Sequence, residues 1–220
     1  MKPEPIKNHL KTNSFRQYIK KIIKIMRHFL FLKAKCLLLK FVEQPVDTSI
    51  LDRFKVDLRV ISPEEINLLS DKEYYSKKIW DDRWRQGAQL LGAIWNGRIV
   101  EYCWIISGKY YRDIFDGFYI KLNPGECYLF DCRALKDKPE ELRHFRIMKA
   151  LVQFVFQIMK NRFPDCNNVC YAVVTEVNKK SLFFFKHYFK AELTANIVLY
   201  YFLFWQWFKR KKPAESDKDY

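Results

Sequence analysis

Two apolar segments that each lead directly into the start of a helix constrain this chain more than any other feature. The first, ECYLFDCRAL at 126–135, precedes Asp137, and the second, NVCYAVVTEV at 168–177, precedes Asn178. Asp and Asn are favoured at helix N-caps because their side chains accept hydrogen bonds from the first helical N–H groups. Short apolar strands that alternate with helices are typical of parallel pairs within a sheet. We therefore predict an α/β protein with a mixed central sheet flanked by helices.

Further strands and helices are expected around these two segments. The dipeptide Asn96-Gly97 divides 88–107 into the two strands of a hairpin, since it favours a two-residue turn. Other predicted strands lie at 54–62 and 192–204, and helices are predicted to start at Pro63, at Pro139 (continuing to about Phe163) and after Asn178.

The segment 15–42 has apolar residues at helical spacing, with lysines and arginines mainly off that face. This pattern predicts a basic amphipathic helix. Three roles remain open for it: packing on the protein's own core, a dimer contact, or an interfacial anchor on anionic lipid. We expect three parts along the chain: an N-terminal helical extension at 1–45, one domain at 46–208, and a basic then acidic tail at 209–220.

Positive charge is concentrated at the two ends of the chain. The net charge is +15, and residues 1–42 contribute eleven Lys or Arg against one acidic residue. Residues 209–212 add four more cations directly after Trp205 and Trp207. A nearly neutral centre argues against a duplex-binding domain, which usually carries its basic stripe on the folded body. Basic ends are better suited to an anionic membrane surface or an acidic partner protein.

Six cysteines are spread along the chain, at positions 36, 103, 127, 132, 166 and 170. Cys127 with Cys132 and Cys166 with Cys170 could supply four thiolates to a metal. Five residues along a strand place Cys127 and Cys132 on opposite faces, so we favour buried, unreactive thiols and no metal site. The first residues lack the apolar stretch of a secretory signal, and we expect a cytoplasmic location.

Residues 54–204 resemble the GNAT superfamily of acyl-CoA-dependent N-acyltransferases, both in element order and in two motifs. The family's pyrophosphate loop, Arg/Gln-x-x-Gly-x-Gly/Ala, aligns with Arg143, His144, Phe145, Arg146, Ile147 and Met148. The family's Asn, small residue and aromatic residue after the next strand align with Asn178, Ser181 and Phe185. The resemblance implies that these residues bind acetyl-CoA or another acyl-CoA, with Cys132, Arg133 and Ala134 along the pantetheine arm.

The chain departs from this family pattern at several positions. Arg146 and Met148 stand where the loop glycines are expected, and Phe185 replaces a tyrosine that often protonates the leaving thiolate. Arg146 could block the approach of the diphosphate or could supply its own charge to it. Tyr188 is the candidate substitute acid. Asp131, within an apolar strand, is the candidate base that deprotonates the amine.

These residues lead to one expected function and one alternative. The expected function is transfer of an acyl group to an amine of a sugar, a lipid-linked glycan or a small metabolite, at the inner face of the membrane. Such an enzyme would be peripheral, held through residues 15–42 and 205–212, and bacterial relatives of this pattern are associated with polysaccharide synthesis. The alternative is a non-catalytic GNAT-like scaffold or membrane-associated adaptor that has lost its cofactor.

Overall fold

The computed structural model describes residues 31–68, 77–108, 110–112, 119–134, 140–142, 146–202 and 205–211. These residues form ten strands: β1 (Phe31–Val42), β2 (Asp57–Ile61), β3 (Gln89–Trp95), β4 (Arg98–Ser107), β5 (Tyr110–Arg112), β6 (Tyr119–Lys121), β7 (Glu126–Ala134), β8 (Val169–Thr175), β9 (Glu192–Phe202) and β10 (Trp205–Lys211). Eight of them make one sheet in the order β10-β9-β1-β8-β7-β4-β3-β2, and β5 pairs with β6. Only β7 and β8 are parallel neighbours among the described strands of that sheet.

Helices cover both faces of the sheet. They are α1 (Ser49–Phe54), α2 (Lys77–Arg85), α3 (Arg146–Arg162) and α4 (Lys179–Phe189), with 3₁₀ turns at Pro63–Leu68 and Glu140–Leu142. The apolar side of α2 packs on one sheet face through Trp80, beside Trp104 and Phe130. Helices α3 and α4 pack on the other face, where Phe156 and Phe185 meet buried residues of the strands. The predicted mixed sheet flanked by helices is therefore confirmed.

Strand β1 corrects the prediction of a single helix over 15–42. Residues 31–42 are a strand that lies between β9 and β8, whereas residues 15–30 are outside the described part of the chain. Cys36 and Leu38 are buried on the α2 side, and Leu39 and Phe41 are buried on the side of α3 and α4. A strand buried on both faces reads as a nearly continuous apolar run, and periodicity alone does not distinguish such a run from a helix.

The predicted hairpin is confirmed. Strands β3 and β4 are antiparallel, and the turn residues Asn96 and Gly97 have φ angles of 49° and 74°. Two successive positive φ angles define the turn whose twist matches that of the flanking strands. The strands predicted at 54–62, 126–135, 168–177 and 192–204 are present as β2, β7, β8 and β9, and α4 follows Asn178 as expected.

Other predictions differ from the structure in their details. The helix expected at Pro63 is a 3₁₀ turn, and α3 starts at Arg146, after a 3₁₀ turn, and not at Pro139. Residues 205–211, within the segment predicted to contact the membrane, form the edge strand β10, and their contact with lipid stays a prediction. None of the helices in the described ranges is long and apolar enough to cross a membrane.

Candidate functional site: a gap between two parallel strands

Strands β7 and β8 begin as hydrogen-bonded parallel neighbours and then separate. Their pairing runs from Glu126 opposite Val169 to Leu129 opposite Ala172, and within the described residues it ends there. We call these paired residues the root, and the space between Phe130–Ala134 and Val173–Thr175 the gap. Each strand keeps its other neighbour through the gap, because β7 stays paired with β4 and β8 stays paired with β1. The gap is therefore a feature of the sheet and not a frayed end.

A bulge in β7 accounts for the separation. Trp104 of β4 lies opposite Phe130 and Tyr102 lies opposite Arg133, so two β7 residues oppose one β4 residue between those pairs. Asp131, one of the two, has a φ angle of 49°. Among residues other than glycine, Asp and Asn tolerate this left-handed region best. A bulge bends its strand and increases the local twist, which turns the end of β7 away from β8.

Asp131 lies between two arginines beside the gap. Its Oδ2 accepts a hydrogen bond from Nη1 of Arg83 at 2.7 Å, and its Oδ1 accepts one from Nε of Arg133 at 2.7 Å. The Arg83 side chain is 2% exposed, and its guanidinium carbon lies 5.1 Å from the ring centroids of both Trp104 and Phe130. Burial raises the pKa of Asp131, while the charge and hydrogen bond of Arg83 act to lower it. The carboxylate is thus held in a fixed position at the bulge.

Helix α3 follows β7 along the chain, and its buried Ile147 shares a core cluster with Ala93 of β3 and Val100 of β4. The N–H groups of its first turn have no partner within the helix, so they form a potential anion site. Ile147 and Met148, predicted cofactor contacts, have buried side chains in the core. Arg146 is the first residue of the helix. Arg143, His144 and Phe145 lie outside the described residues.

Asn178 and Ser181 meet at the start of α4, directly after the gap side of β8. Asn178 Oδ1 accepts a hydrogen bond from the backbone N–H of Ser181 at 3.1 Å, so Asn178 is the N-cap of the helix. Phe185, the third residue of that motif, is 4% exposed and packs against Phe41 with ring centroids 5.2 Å apart. The motif thus combines a cap at the gap with a core aromatic residue.

Tyr188 lies near the other end of α4, in a small cavity. The cavity has a volume of about 270 Å³ and is lined by Pro45, Val46, Asp47, Lys149 and Tyr188. Nζ of Lys149 lies 3.1 Å from the centre of the Tyr188 ring. Tyr188 belongs to the side of the sheet that carries α3 and α4, whereas Asp131 is bound to Arg83 from α2 on the other side. The structure therefore does not bring the two predicted catalytic residues together.

The cysteines depart from the expectation of separate thiols. Cys127 and Cys170 lie directly opposite each other in the root, with Cα atoms 4.8 Å apart, and form a disulfide. Burial, and after it the neighbouring Cys132, raises the pKa of Cys103 well above its usual range. Within the described ranges, no group of three or more His, Cys, Asp or Glu residues could hold a metal ion.

Arg83 is the site residue that sequence reasoning missed. The sequence predicts no helix or strand between Asp71 and Gly87, yet α2 lies there. Trp80 and Trp84 are spaced one helical turn apart, and this spacing could have indicated a helix with one apolar face. The approach of Arg83 to Asp131 spans 48 residues of sequence, and no local pattern predicts such a contact.

Known proteins resemble this chain only in overall architecture and at low sequence identity. No protein-family model matches the sequence, and no curated protein matches it. A tandem GNAT protein from the clavulanic acid biosynthesis pathway is 11% identical, with a TM-score of 0.48 over 83% of this chain and 55% of that chain. A GCN5-related N-acetyltransferase from Sphaerobacter thermophilus is 11% identical, with a TM-score of 0.45 over 89% of this chain and 57% of that one.

A third solved structure is an acetyltransferase assigned to the GNAT family from Novosphingobium aromaticivorans. It is 13% identical, with a TM-score of 0.43 over 82% of this chain and 62% of that chain. This chain thus spans less than two thirds of the length of each of the three proteins. The geometry of the gap, and not these similarities, supports the function proposed next.

Proposed function

We propose that this protein is an acyl-CoA-dependent N-acyltransferase that uses acetyl-CoA or another acyl-CoA. The observation that carries the proposal is the gap between β7 and β8, which opens at a bulge in β7 and whose β8 side leads directly into α4 at Asn178. An extended ligand with amide groups can hydrogen-bond to strand backbone as an added strand does. The pantetheine arm of coenzyme A is such a ligand.

The residues around the gap fit the separate parts of that cofactor. Backbone groups of Cys132, Arg133 and Ala134 would hold the arm, because this part of β7 has lost its β8 neighbour. The first N–H groups of α3 would face the diphosphate, whose negative charge the helix dipole favours. Asn178 and Ser181 would contact the cofactor from the start of α4. When bound, the cofactor supplies an acyl group as a reactive thioester.

The chemistry also requires a base and a polarised carbonyl. A backbone N–H of β7 at the bulge is the proposed donor to the thioester oxygen, since a fixed donor stabilises developing negative charge. Asp131 is the proposed base, and its buried setting, which raises its pKa, suits proton acceptance. The hydrogen bonds from Arg83 and Arg133 occupy both of its oxygens and oppose that role. Proton transfer would therefore require Arg133 to release Oδ1. For Tyr188 to protonate the leaving thiolate, the proton would have to pass around α4 from the Tyr188 side chain to the gap.

The acceptor is proposed to be an amine of a sugar, a lipid-linked glycan or a small metabolite at the inner membrane face. The basic ends of the chain support a membrane location, and Lys209, Arg210 and Lys211 are exposed on edge strand β10. Residues 15–30 would add the second contact with anionic lipid.

A specific observation favours the alternative of a non-catalytic scaffold. The aromatic residue of the Asn178 motif is Phe185, which is buried and has no hydroxyl group to protonate a thiolate. A scaffold would keep the fold and would have no need of the cofactor.

Titration with acetyl-CoA separates the two functions. We expect saturable binding by calorimetry and a rise in the unfolding temperature, since a ligand at a hundred times its Kd stabilises the folded state by about 2.7 kcal/mol. Pantetheine and adenosine 3′,5′-bisphosphate, tested alone, should each bind more weakly than the intact cofactor. Absence of any shift at millimolar acetyl-CoA would exclude the transferase and leave the scaffold.

A further inference from the structure

Helix α4 has one face buried and the opposite face open to solvent. Phe184, Phe185 and Phe189 are buried against the core. The exposed face and the turn before it form a continuous set that we call the α4 surface: Val177, Lys179, Lys180, Phe183, His187 and Lys190. Lys180, Phe183 and His187 are spaced by three or four residues, so they line up along one side of the helix, and Lys190 is the residue that ends it.

The charge of the α4 surface has a single sign. Between Val177 and Ala191 the chain contains four lysines and no acidic residue. Lys179 and Lys180 occupy the first turn of α4, which contains no acidic residue. The helix dipole makes the N-terminus positive, so cations there are unfavourable for the helix itself. Placing exposed lysines against this local preference is typical of a functional requirement and not of stability.

Two apolar side chains protrude from the same surface. Val177 is 85% exposed and Phe183 is 55% exposed, the two highest values for large apolar residues in the described ranges. The Phe183 ring stacks on His187, with centroids 4.8 Å apart and planes 11° apart, so it is held in a defined outward position. Isolated exposed apolar residues are ordinary, but two that protrude among three exposed lysines resemble a surface that inserts into a lipid interface.

We propose that the α4 surface docks on an anionic lipid bilayer. The lysines would contact headgroup phosphates, while Val177 and Phe183 would enter the boundary of the acyl chains. Anionic polymers such as nucleic acids would match the lysines but would leave the protruding valine without a partner. The chain's own first 30 residues carry eight Lys or Arg and one Glu, so their charge opposes docking on this surface.

The α4 surface lies next to the gap, so docking of this surface would also position the gap. Val177 and Asn178 directly follow the end of β8 that lines the gap. Lys35 of β1 lies beside them, since its carbonyl accepts a hydrogen bond from the N–H of Glu176. Docking through α4 would therefore place the mouth of the gap close to the bilayer. This proposal does not depend on acyl transfer, because lipid binding and acetyl-CoA binding are measured separately.

Co-sedimentation of the full chain with vesicles tests the proposal. Vesicles of equal parts phosphatidylglycerol and phosphatidylcholine should bind the protein, and vesicles of phosphatidylcholine alone should bind it much less. The Lys179→Gln/Lys180→Gln variant should bind about twenty-five-fold more weakly, since each lysine near an anionic surface contributes about a fivefold factor. The Val177→Ser/Phe183→Ser variant should bind at least about tenfold more weakly.

Matched control variants carry the same changes elsewhere. Lys78→Gln/Lys121→Gln removes two exposed lysines, and Val60→Ser/Tyr119→Ser removes side chains that are 40% and 43% exposed. The controls should bind as the natural chain does, and circular dichroism should show all four variants folded. The proposal is overturned if the natural chain does not bind the anionic vesicles. It is equally overturned if the α4 variants bind as the natural chain does, or if the control variants lose as much binding as the α4 variants lose.

Discussion

The root and the gap are two halves of the same strand pair, and they differ in pairing, in backbone regularity and in charge. In the root, Cys127 and Leu129 of β7 lie beside Cys170 and Ala172 of β8, and all four are at most 2% exposed. In the gap, the pairing is lost, β7 carries a bulge, and a carboxylate is held between two guanidinium groups. The difference teaches that the paired root holds the two strands together, so the residues that follow can part from their neighbour within an intact sheet.

The largest expected effect comes from Asp131→Asn, which removes the charge but keeps a residue that tolerates a positive φ angle. It leaves the buried Arg83 guanidinium without its carboxylate, and breaking such a pair costs about 3–5 kcal/mol. Urea unfolding should show this loss. Asp57→Asn is the control, since Asp57 pairs with Arg59 at the surface and its loss should cost at most about 1 kcal/mol. Equal losses of unfolding free energy in the two variants would show that the Asp131 carboxylate stabilises the fold no more than an exposed ion pair does.

Leu129→Ala tests the root by removing apolar volume from its last paired position. Leu129 is 1% exposed, and truncation of such a leucine costs about 3 kcal/mol because a cavity remains. Val173→Ala, in the gap, should cost at most about 1.5 kcal/mol, because Val173 is only partly buried. The unfolding free energies of both variants test this contrast, and a larger loss at Val173 would contradict it.

Much of this fold was predictable from sequence because its signals are local. The Asn96-Gly97 turn and the Asn178 cap depend on a few adjacent residues, and both were predicted correctly. Strand β1 was not, because its neighbours β9 and β8 come from the other end of the chain and only they determine that it is a strand. The contact of Arg83 with Asp131 and the bulge at Asp131 also depend on distant strands. Sequence therefore predicted the elements that have local signals, but not β1, α2 or the interactions that open the gap.

Two substitutions of Asn178 distinguish its role as a helix cap from its proposed role in ligand binding. Asn178→Ala should cost about 1 kcal/mol of unfolding free energy, since it removes the acceptor for the Ser181 N–H. Asn178→Ser keeps a capping oxygen and should cost only a few tenths of a kcal/mol. We expect both variants to bind acetyl-CoA more weakly in calorimetry, because both lack the side-chain amide. Normal affinity in Asn178→Ser would restrict Asn178 to its role as a cap.

The smallest effect is expected for the ion pair between Lys35 and Glu176, next to the gap. The two side chains are 62% and 49% exposed, with the charged atoms 3.7 Å apart. Exposed pairs of this kind contribute less than about 1 kcal/mol, so Lys35→Gln should hardly change the unfolding temperature. A large loss of stability would mean that this exposed pair, which joins β1 to the end of β8 on the side away from the gap, helps to hold the strands together.

Hydrogen exchange of the β7 backbone measures the separation of the strands most directly. Amides of Glu126–Leu129 should exchange slowly, whereas those amides of Phe130–Ala134 that are not bonded to β4 should exchange quickly. Addition of acetyl-CoA should slow exchange in the second group and leave the first unchanged. If Phe130–Ala134 are as well protected as Glu126–Leu129 in the free protein, or acetyl-CoA leaves their exchange unaltered, then the gap does not hold this cofactor.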